Sequence, residues 1–447
     1  MLNVPMNSNT RLQHKRIIVF SRYPVPGEVK TRLIPALGSA GAADFHRRLT
    51  EKTLATALAY ATEHHAVLEL HFQGGSKALM RRWLGPDISY IRQHKGNLGE
   101  RMRIALEQAF RQGARRVLLV GTDIPEMKAH HFGQAFHHLD EKDLVLGPST
   151  DGGYWLIGAR QPVNVFEDIT WGADTVLEET MARADEQDLT YGLLELLTDI
   201  DTPEDLKARQ PASADKKPYI SVIIPALNES ARIEGAIRAA RNEEAEIIVV
   251  DGGSHDRTPP LAARAGARVI SSPKGRARQQ NSGAEDAAGQ ILLFLHADTI
   301  LPEDYLKQVF EMMLDQKIIL GAFSFKTDLD NGFMKGIEFL ANFRARRLHL
   351  PYGDQALFVR KSTFEDINGF PETPLAEDFY FVRGLARLGR VGIIPASAVT
   401  SARRWQIRGL LRTTLINQIM VLGFILRVPP DRLAAIHRFL HKNKSSR

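Results

Sequence analysis

The run ILLFLHADT, Ile291–Thr299, constrains this 447-residue chain more than any other stretch. Five of its first six positions are apolar, the pattern of a strand covered on both faces of a sheet. The run then stops at His296-Ala297-Asp298-Thr299, so the Asp298 carboxylate is expected at the strand's carboxyl end. In open α/β sheets that end is where ligands bind. A carboxylate there holds a divalent cation against a diphosphate, because hard cations choose oxygen ligands and share them with phosphates. The competing reading makes Asp298 a cap, with Thr299 and Pro302 marking a helix start.

The pattern recurs through the first half. Arg16–Ser21 is a β-branched strand that enters the loop RYPVPGEVKTRL, with Arg22, Lys30 and Arg32 as its cations. A strand feeding a basic glycine loop suits phosphate, although the P-loop spacing is missing; the alternative is an exposed basic turn. Pro35–His64 reads as a long helix and Ala66–Phe72 as a strand. RVLLVGTDIP again ends an apolar strand on an acid, Asp123. LVLGPSTDGGYWLIG sets Asp151 before two glycines and an aromatic pair, and DIDTPEDL adds Asp199 and Asp201. Three acidic sites after strands in one α/β unit make a coherent metal–phosphate site.

These motifs occur in order across residues 16–207 and resemble a bacterial family related to sugar-nucleotide pyrophosphorylases and to guanylyltransferases of the phospholactate type. The resemblance implies a Rossmann-like nucleotide-diphospho-sugar transferase fold. It also implies that Lys30 and Arg32 contact nucleotide phosphates and that Asp123 binds Mg²⁺, with Asp151 and Asp201 as further members of the site.

The second half opens with the strand YISVIIPALNES, which ends at Pro225, Asn228 and Glu229. EIIVVDGGSHDRT delivers Asp251 into two glycines, with Ser254 and Asp256 beyond. Asp251 can accept from a base N–H and Ser254 can cap a helix; a hairpin turn is the other reading. Lys274, Arg276 and Arg278 lead into a helix as cations at the same strand ends, or as a solvated helix face. The aromatic, basic stretch Phe333–His349 either lines an acceptor pocket or packs. Glu377 and Asp378 stand at a helix start, where they either complement the helix dipole or supply a general base.

SVIIPALNES, VVDGGSHDRT, KGRARQQNSGA, LFLHADT, GDQALFVRK, PLAEDFYF and SARRW appear in order across residues 220–405. This set resembles a family-2 glycosyltransferase of the inverting GT-A fold, closest to an arsenosugar-biosynthesis subgroup. The resemblance implies that Asp251 reads the nucleotide base, that Asp298 takes the metal role of the DxD motif, and that Asp378, with Glu377 beside it, is the catalytic base. Arg404 and Trp405 are implied near the diphosphate. The first Asp of DxD is replaced by His296, a metal ligand or a neutral hydrogen-bond partner. The expected nucleotide-sugar site comprises Pro225, Asn228, Glu229, Asp251, Ser254, Asp256, Lys274, Arg276, Arg278, Gln355, Arg404 and Trp405. Mg²⁺ or Mn²⁺ is the expected cofactor, a UDP-, GDP- or ADP-sugar the donor, and a small molecule or lipid the acceptor.

The fold expected is α/β: two tandem Rossmann-like GT-A domains with mixed, mostly parallel sheets, at 1–209 and 219–405. A linker at 210–218 joins them, and a helical basic tail follows at 406–447. A net charge of +6 favours anionic ligands, but no basic stripe interleaved with aromatics points to nucleic acid. The absence of cysteine excludes disulfides and thiolate chemistry. The polar N-terminus lacks a signal-peptide core, and only 14 uncharged residues lie between Arg412 and Arg427, too few to span a bilayer. A cytoplasmic protein is expected. The tail, with six Lys/Arg against Asp431 over residues 427–447, either lies at an anionic membrane surface or packs on the domain or in a homodimer interface.

Overall fold

The computed structural model describes residues 14–209, 218–373 and 376–409, with scattered residues between 414 and 436. The chain divides into two compact units, Met1–Asp215 and Lys216–Arg447. Most of the expected linker and tail lies outside the described residues, as does the Arg404 side chain.

In the first unit, apolar runs become β1 (Lys15–Arg22), β2 (Val67–Gln73), β3 (Ser89–Arg92), β4 (Arg116–Val120), β5 (Leu144–Pro148), β6 (Tyr154–Ala159) and β7 (Tyr191–Leu193). They form one sheet in the order β3-β2-β1-β4-β6-β5-β7. Only β6 runs against its neighbours, β4 and β5. In the second unit the strands are β8 (Ile220–Ala226), β9 (Ala245–Asp251), β10 (Arg268–Ser271), β11 (Ile291–Phe294), β12 (Thr299–Ile300), β13 (Ile318–Thr327), β14 (Leu357–Arg360) and β15 (Arg390–Thr400). Their order is β10-β9-β8-β11-β14-β13-β15-β12. With the two-residue β12 set aside, the second order reproduces the first strand for strand. The directions match as well, since β14 is antiparallel to β11 and β13 just as β6 is to β4 and β5. Both units are Rossmann-like, mixed and mostly parallel.

The central strands are near-continuous Ile, Val and Leu because helices cover both faces. In the second unit Ile223, Val250 and Leu292 are buried together with Ala277 and Ala284 of the helix Arg276–Glu285. In the first, Ile18, Leu119 and Ile157 pack with Met102 and Leu106 of the helix Leu98–Arg111. Each large apolar side chain so buried contributes about 1.5–3 kcal/mol, so apolar contact holds the layers together. The long helix expected at Pro35–His64 is Ile34–Glu63, broken at Gly38 by a left-handed φ of 77°.

Strand order fixes where a ligand can sit. In each sheet the first strand lies between the second and the fourth, and the chain crosses to opposite sides there, which opens a crevice at the carboxyl ends of β1/β4 and β8/β11. After β11 the chain enters β12, which pairs with β15, rather than a helix capped by Asp298. The next helix is Tyr305–Met313, with Asp304 at its N-cap. Asp298 is therefore pinned between two strand ends, its carbonyl accepting from the Ser401 N–H at 3.1 Å.

Candidate functional site

A cleft of about 950 Å³ opens at the carboxyl ends of β8 and β11. Pro225 and Ala226 reach it from β8, and His296, Ala297 and Asp298 from the turn after β11. Lys274, Arg276 and Arg278 enter from the start of the helix Arg276–Glu285, which follows Gly275 at φ 147°, a conformation side chains disfavour. Glu229, Glu372, Glu377 and Arg403 complete the charged lining. The charges are paired: Arg276 with Glu377 at 3.3 Å, Arg278 with Glu372 at 2.8 Å, and Arg403 with Glu229 at 3.0 Å. Such part-exposed pairs are worth about 0–1 kcal/mol, so a phosphate can take over the guanidiniums. Lys274 and the Asp298 carboxylate have no ion pair among the described residues.

Electrostatics tie the groups together. Burial acts to lower the Arg276 pKa, but the charges of Glu377, Asp378 and Asp298 more than offset it and hold the guanidinium above its ordinary value. Burial raises Glu377, helped by the Asp378 charge and opposed by Arg276, so its carboxyl is held above the usual range. Asp378 accepts from the Gly353 N–H at 2.9 Å and from the Phe379 N–H at 2.8 Å. A Cβ on Gly353 would stand 2.8 Å from His296 Nε2 and 3.4 Å from Asp378 Oδ2. That glycine lets His296 and Asp378 converge on one backbone position.

The first unit has its own cavity, of about 630 Å³, at the ends of β1 and β4. Its lining includes Arg22, Lys30, Arg32, Gln73, Asp123, Asp151, Asp199 and Asp201. Lys30, left-handed at φ 46°, inserts a nearly buried ammonium among the acids. Its Nζ lies 2.7 Å from Asp123 and 3.3 Å from Asp201, and donates to the Ile200 carbonyl at 2.6 Å. Burial works against this ammonium, yet Asp123 and then Asp201 hold its pKa above the ordinary value. Arg32 pairs with Asp201 at 2.9 Å. Asp151 accepts from the Gly153 N–H at 2.9 Å and from the Ser149 hydroxyl. Asp199 is pushed up to about 6 by burial and then by the charge of Asp151.

The model of glycosyl transferase family 2 matches residues 221–368. That match covers about a third of the chain, all of it in the second unit. Residues 53–173 match a family described as an uncharacterized protein conserved in bacteria, DUF2064. Glycosyltransferase AglE of Haloferax volcanii is 24% identical over 174 residues, which is 34% of this chain and 56% of that protein. Glucosyl-3-phosphoglycerate synthase of Mycobacterium tuberculosis is 37% identical over 98 residues, 19% of this chain and 30% of that protein. The chain thus spans about half, or less, of these curated relatives. A solved structure described as a nucleotide-diphospho-sugar transferase from Desulfovibrio desulfuricans G20 is 34% identical, covers 44% of this chain and 86% of its own, and has a TM-score of 0.41.

Within the second unit, the expected residues separate into two groups. Pro225, Glu229, Lys274, Arg276, Arg278, His296, Asp298 and Glu377 line the cleft. Asn228, Ser254 and Asp256 do not; they knit the loops after β8 and β9 together. The Asn228 N–H donates to Ser254 Oγ at 2.9 Å and the Ser230 N–H to Asp256 at 3.2 Å. Ser254 is therefore no helix cap. The Thr258 hydroxyl bound to Asp256 holds that carboxyl down at about 2. Gln355 is fully buried and does not line the cleft; its amide bonds the Phe323 carbonyl and the Tyr352 N–H. Trp405 packs with Phe325, Met334 and Ala402 and does not line the cleft. Its neighbour Arg403, which sequence reasoning missed, is the residue that reaches the cleft. Spacing was the available signal, since Arg403 and Ile407 are one helical turn apart and Trp405 is not on their face. Phe333–His349 supplies no lining residue.

Asp251 ends β9 behind the cleft wall. One of its oxygens accepts from the Gly253 and Ser254 N–H groups at 3.1 and 3.0 Å, while the other is buried without a partner among the described residues. An orphan buried acceptor suits a donor N–H. A divalent ion also suits this cleft. Asp298 offers a hard oxygen and His296 an imidazole, and no three protein ligands converge there among the described residues, so phosphate oxygens would complete the coordination. His130, His131 and Glu195 do converge in the first unit. There His131 Nδ1 accepts from the Lys128 N–H at 3.0 Å, so the ring proton sits on Nε2 and faces Glu195. That arrangement is a hydrogen-bonded pair rather than a vacant ligand set.

Proposed function

We propose that the second unit is a metal-dependent, inverting glycosyltransferase that moves a sugar from a nucleoside-diphosphate sugar to an acceptor hydroxyl. The observation that carries this reading is the cleft itself: four cations line it with the Asp298 carboxylate at the end of β11, the one carboxylate of the lining that has no ion pair among the described residues. Lys274, Arg276, Arg278 and Arg403 neutralise a diphosphate, and charge developing on a leaving group is the charge such preorganised cations stabilise best. Asp298, with His296, holds Mg²⁺ or Mn²⁺, which when bound adds to that neutralisation. Asp251 receives a base N–H. Glu377 or Asp378 takes the acceptor proton as the hydroxyl attacks the anomeric carbon from the face opposite the leaving group, which inverts the centre. Glu377 is the better placed, because it lines the cleft while both Asp378 oxygens already accept backbone N–H groups. The resemblance to the arsenosugar subgroup makes an arsenosugar-type acceptor one member of the acceptor panel.

The test is hydrolysis of UDP-, GDP- and ADP-sugars with Mg²⁺ or Mn²⁺, read as released diphosphate. Turnover of one donor, lost in Asp298→Asn, supports the reading; turnover indifferent to that substitution refutes it. A second activity, nucleotidyl transfer by the first unit, is favoured by its duplicate strand order and its Lys30–Asp123 pocket. It predicts pyrophosphate release from a nucleoside triphosphate, abolished by Asp123→Asn. If there is none, a nucleotide-binding scaffold remains for that unit.

A further inference from the structure

The helix Gly332–Leu348 has two unlike faces. Its inner face packs Met334, Ile337 and Ala341 against Phe325 and Trp405. Its outer face presents Phe339, Leu340 and Phe343 at 68, 54 and 51% exposure. Phe339 and Phe343 lie one turn apart and stack, their centroids separated by 6.3 Å. Large apolar side chains scattered singly on a surface need no explanation, but a stripe of them on one helix does.

The charge around the stripe identifies what covers it. Arg347 is exposed on the same helix, Arg346 is exposed but donates to the Ser324 hydroxyl at 2.9 Å, Lys335 pairs with the exposed Asp330 just before the helix at 2.9 Å, and Arg344 is turned back over the Tyr352 ring at 3.5 Å. The helix holds one acid, Glu338, which is consumed by the Thr327 N–H and hydroxyl at 2.8 and 2.7 Å. A second copy of the helix is a poor partner. Antiparallel pairing about a two-fold axis through the Phe339/Phe343 stripe sets Lys335, with its partner Asp330, opposite Arg346 and Arg347, which leaves an excess of positive charge on both sides. An anionic lipid surface offers both things the face lacks, apolar depth for the rings and negative charge for the flanking cations.

We propose that the Phe339/Leu340/Phe343 face seats the second unit on an anionic lipid bilayer. The inference stands apart from the transferase reading, since no residue of the face lines the cleft. The two are nonetheless adjacent through Trp405, which packs under the helix while Ile407, on the helix Arg403–Arg408 with it, is 73% exposed at the cleft rim.

The experiment is co-sedimentation of the full chain with vesicles of phosphatidylcholine alone or of phosphatidylcholine and phosphatidylglycerol at 3:1. The expected result is at least tenfold stronger binding to the anionic vesicles, weakening with salt, and at least a tenfold loss in F339E/F343E with an unchanged melting temperature. A single Phe343→Trp variant gives a direct reading, as its added emission should shift to the blue on anionic vesicles. Three results would overturn the proposal: no binding by the wild type, F339E/F343E binding as tightly as the wild type (which assigns the contact to the basic tail), or a dimer in solution that F339E/F343E splits.

Discussion

The two sheets share one strand order, yet their fourth strands end in opposite electrostatic solutions. Beyond β4, Asp123 meets a resident cation, the Lys30 ammonium at 2.7 Å. Beyond β11, Asp298 meets none among the described residues, and the cations wait on the surrounding walls. A scaffold therefore does not dictate how its crevice handles charge; the loop after the first strand does. In the first unit that loop bends left-handed at Lys30 and plugs the acids, so a divalent ion on Asp123 has to displace an ammonium. In the second, the corresponding loop is tied sideways to Ser254 and Asp256, which leaves Asp298 open.

The largest effect that can break this comparison is Asp298→Asn. It should cut donor hydrolysis about 10²–10³-fold, the scale of losing one preorganised electrostatic group, while Asp123→Asn leaves that reaction untouched. Equal losses in both would mean the units do not divide the work as their charges suggest. Next is Glu377→Gln, expected to lower kcat about 10²-fold. Because Glu377 is held above its ordinary value, the wild-type rate should fall as pH drops through that raised pKa. An acid limb that persists unchanged in Glu377→Gln would transfer the base role to Asp378.

Lys30→Met sharpens the contrast from the other side. It strands Asp123, leaves Asp201 with Arg32 alone, and should destabilise the first unit by about 2 kcal/mol, the partial exposure of Asp123 moderating the penalty for an unpaired charge. A melting temperature that does not move would mean the pair is ornamental. The smallest effect concerns Asp199, whose pKa near 6 lies above the ordinary carboxylate value. The folded state then binds the extra proton, so this group's contribution is intact below about pH 4 and is lost as pH rises through 6. Asp199→Asn should stabilise the unit at pH 7 by on the order of 1 kcal/mol after solvent screening, and by nothing at pH 4. The same gain at both values would remove the electrostatic explanation.

Much of the scaffold was legible because apolar runs and their polar stops are local properties. ILLF, VLLV and IIVV could only be covered strands, and the acids that end them had to lie near a crevice. One further signal passed unused: Gln73-Gly74-Gly75-Ser76 follows β2 as Asp251-Gly252-Gly253-Ser254 follows β9, a trace of the shared strand order. The side chains were less legible. Gln355 sits two residues beyond Gly353, beside Asp378 in the motif order, but its backbone turn points the amide into the core. Trp405 and Arg403 are two positions apart, and the helix sends one to the core and the other to the cleft.

Sequence alone determined the two α/β units, the strands at their centres and the acids at the strand ends, since hydrophobic periodicity acts over a few residues. Only the tertiary structure decided which carboxylate stays open, because that depends on whether a cation some ninety or more residues away in sequence folds back upon it. Lys30 does so for Asp123, and no side chain pairs with Asp298 among the described residues. Contacts of that range are set by strand order and loop geometry, which no local pattern records.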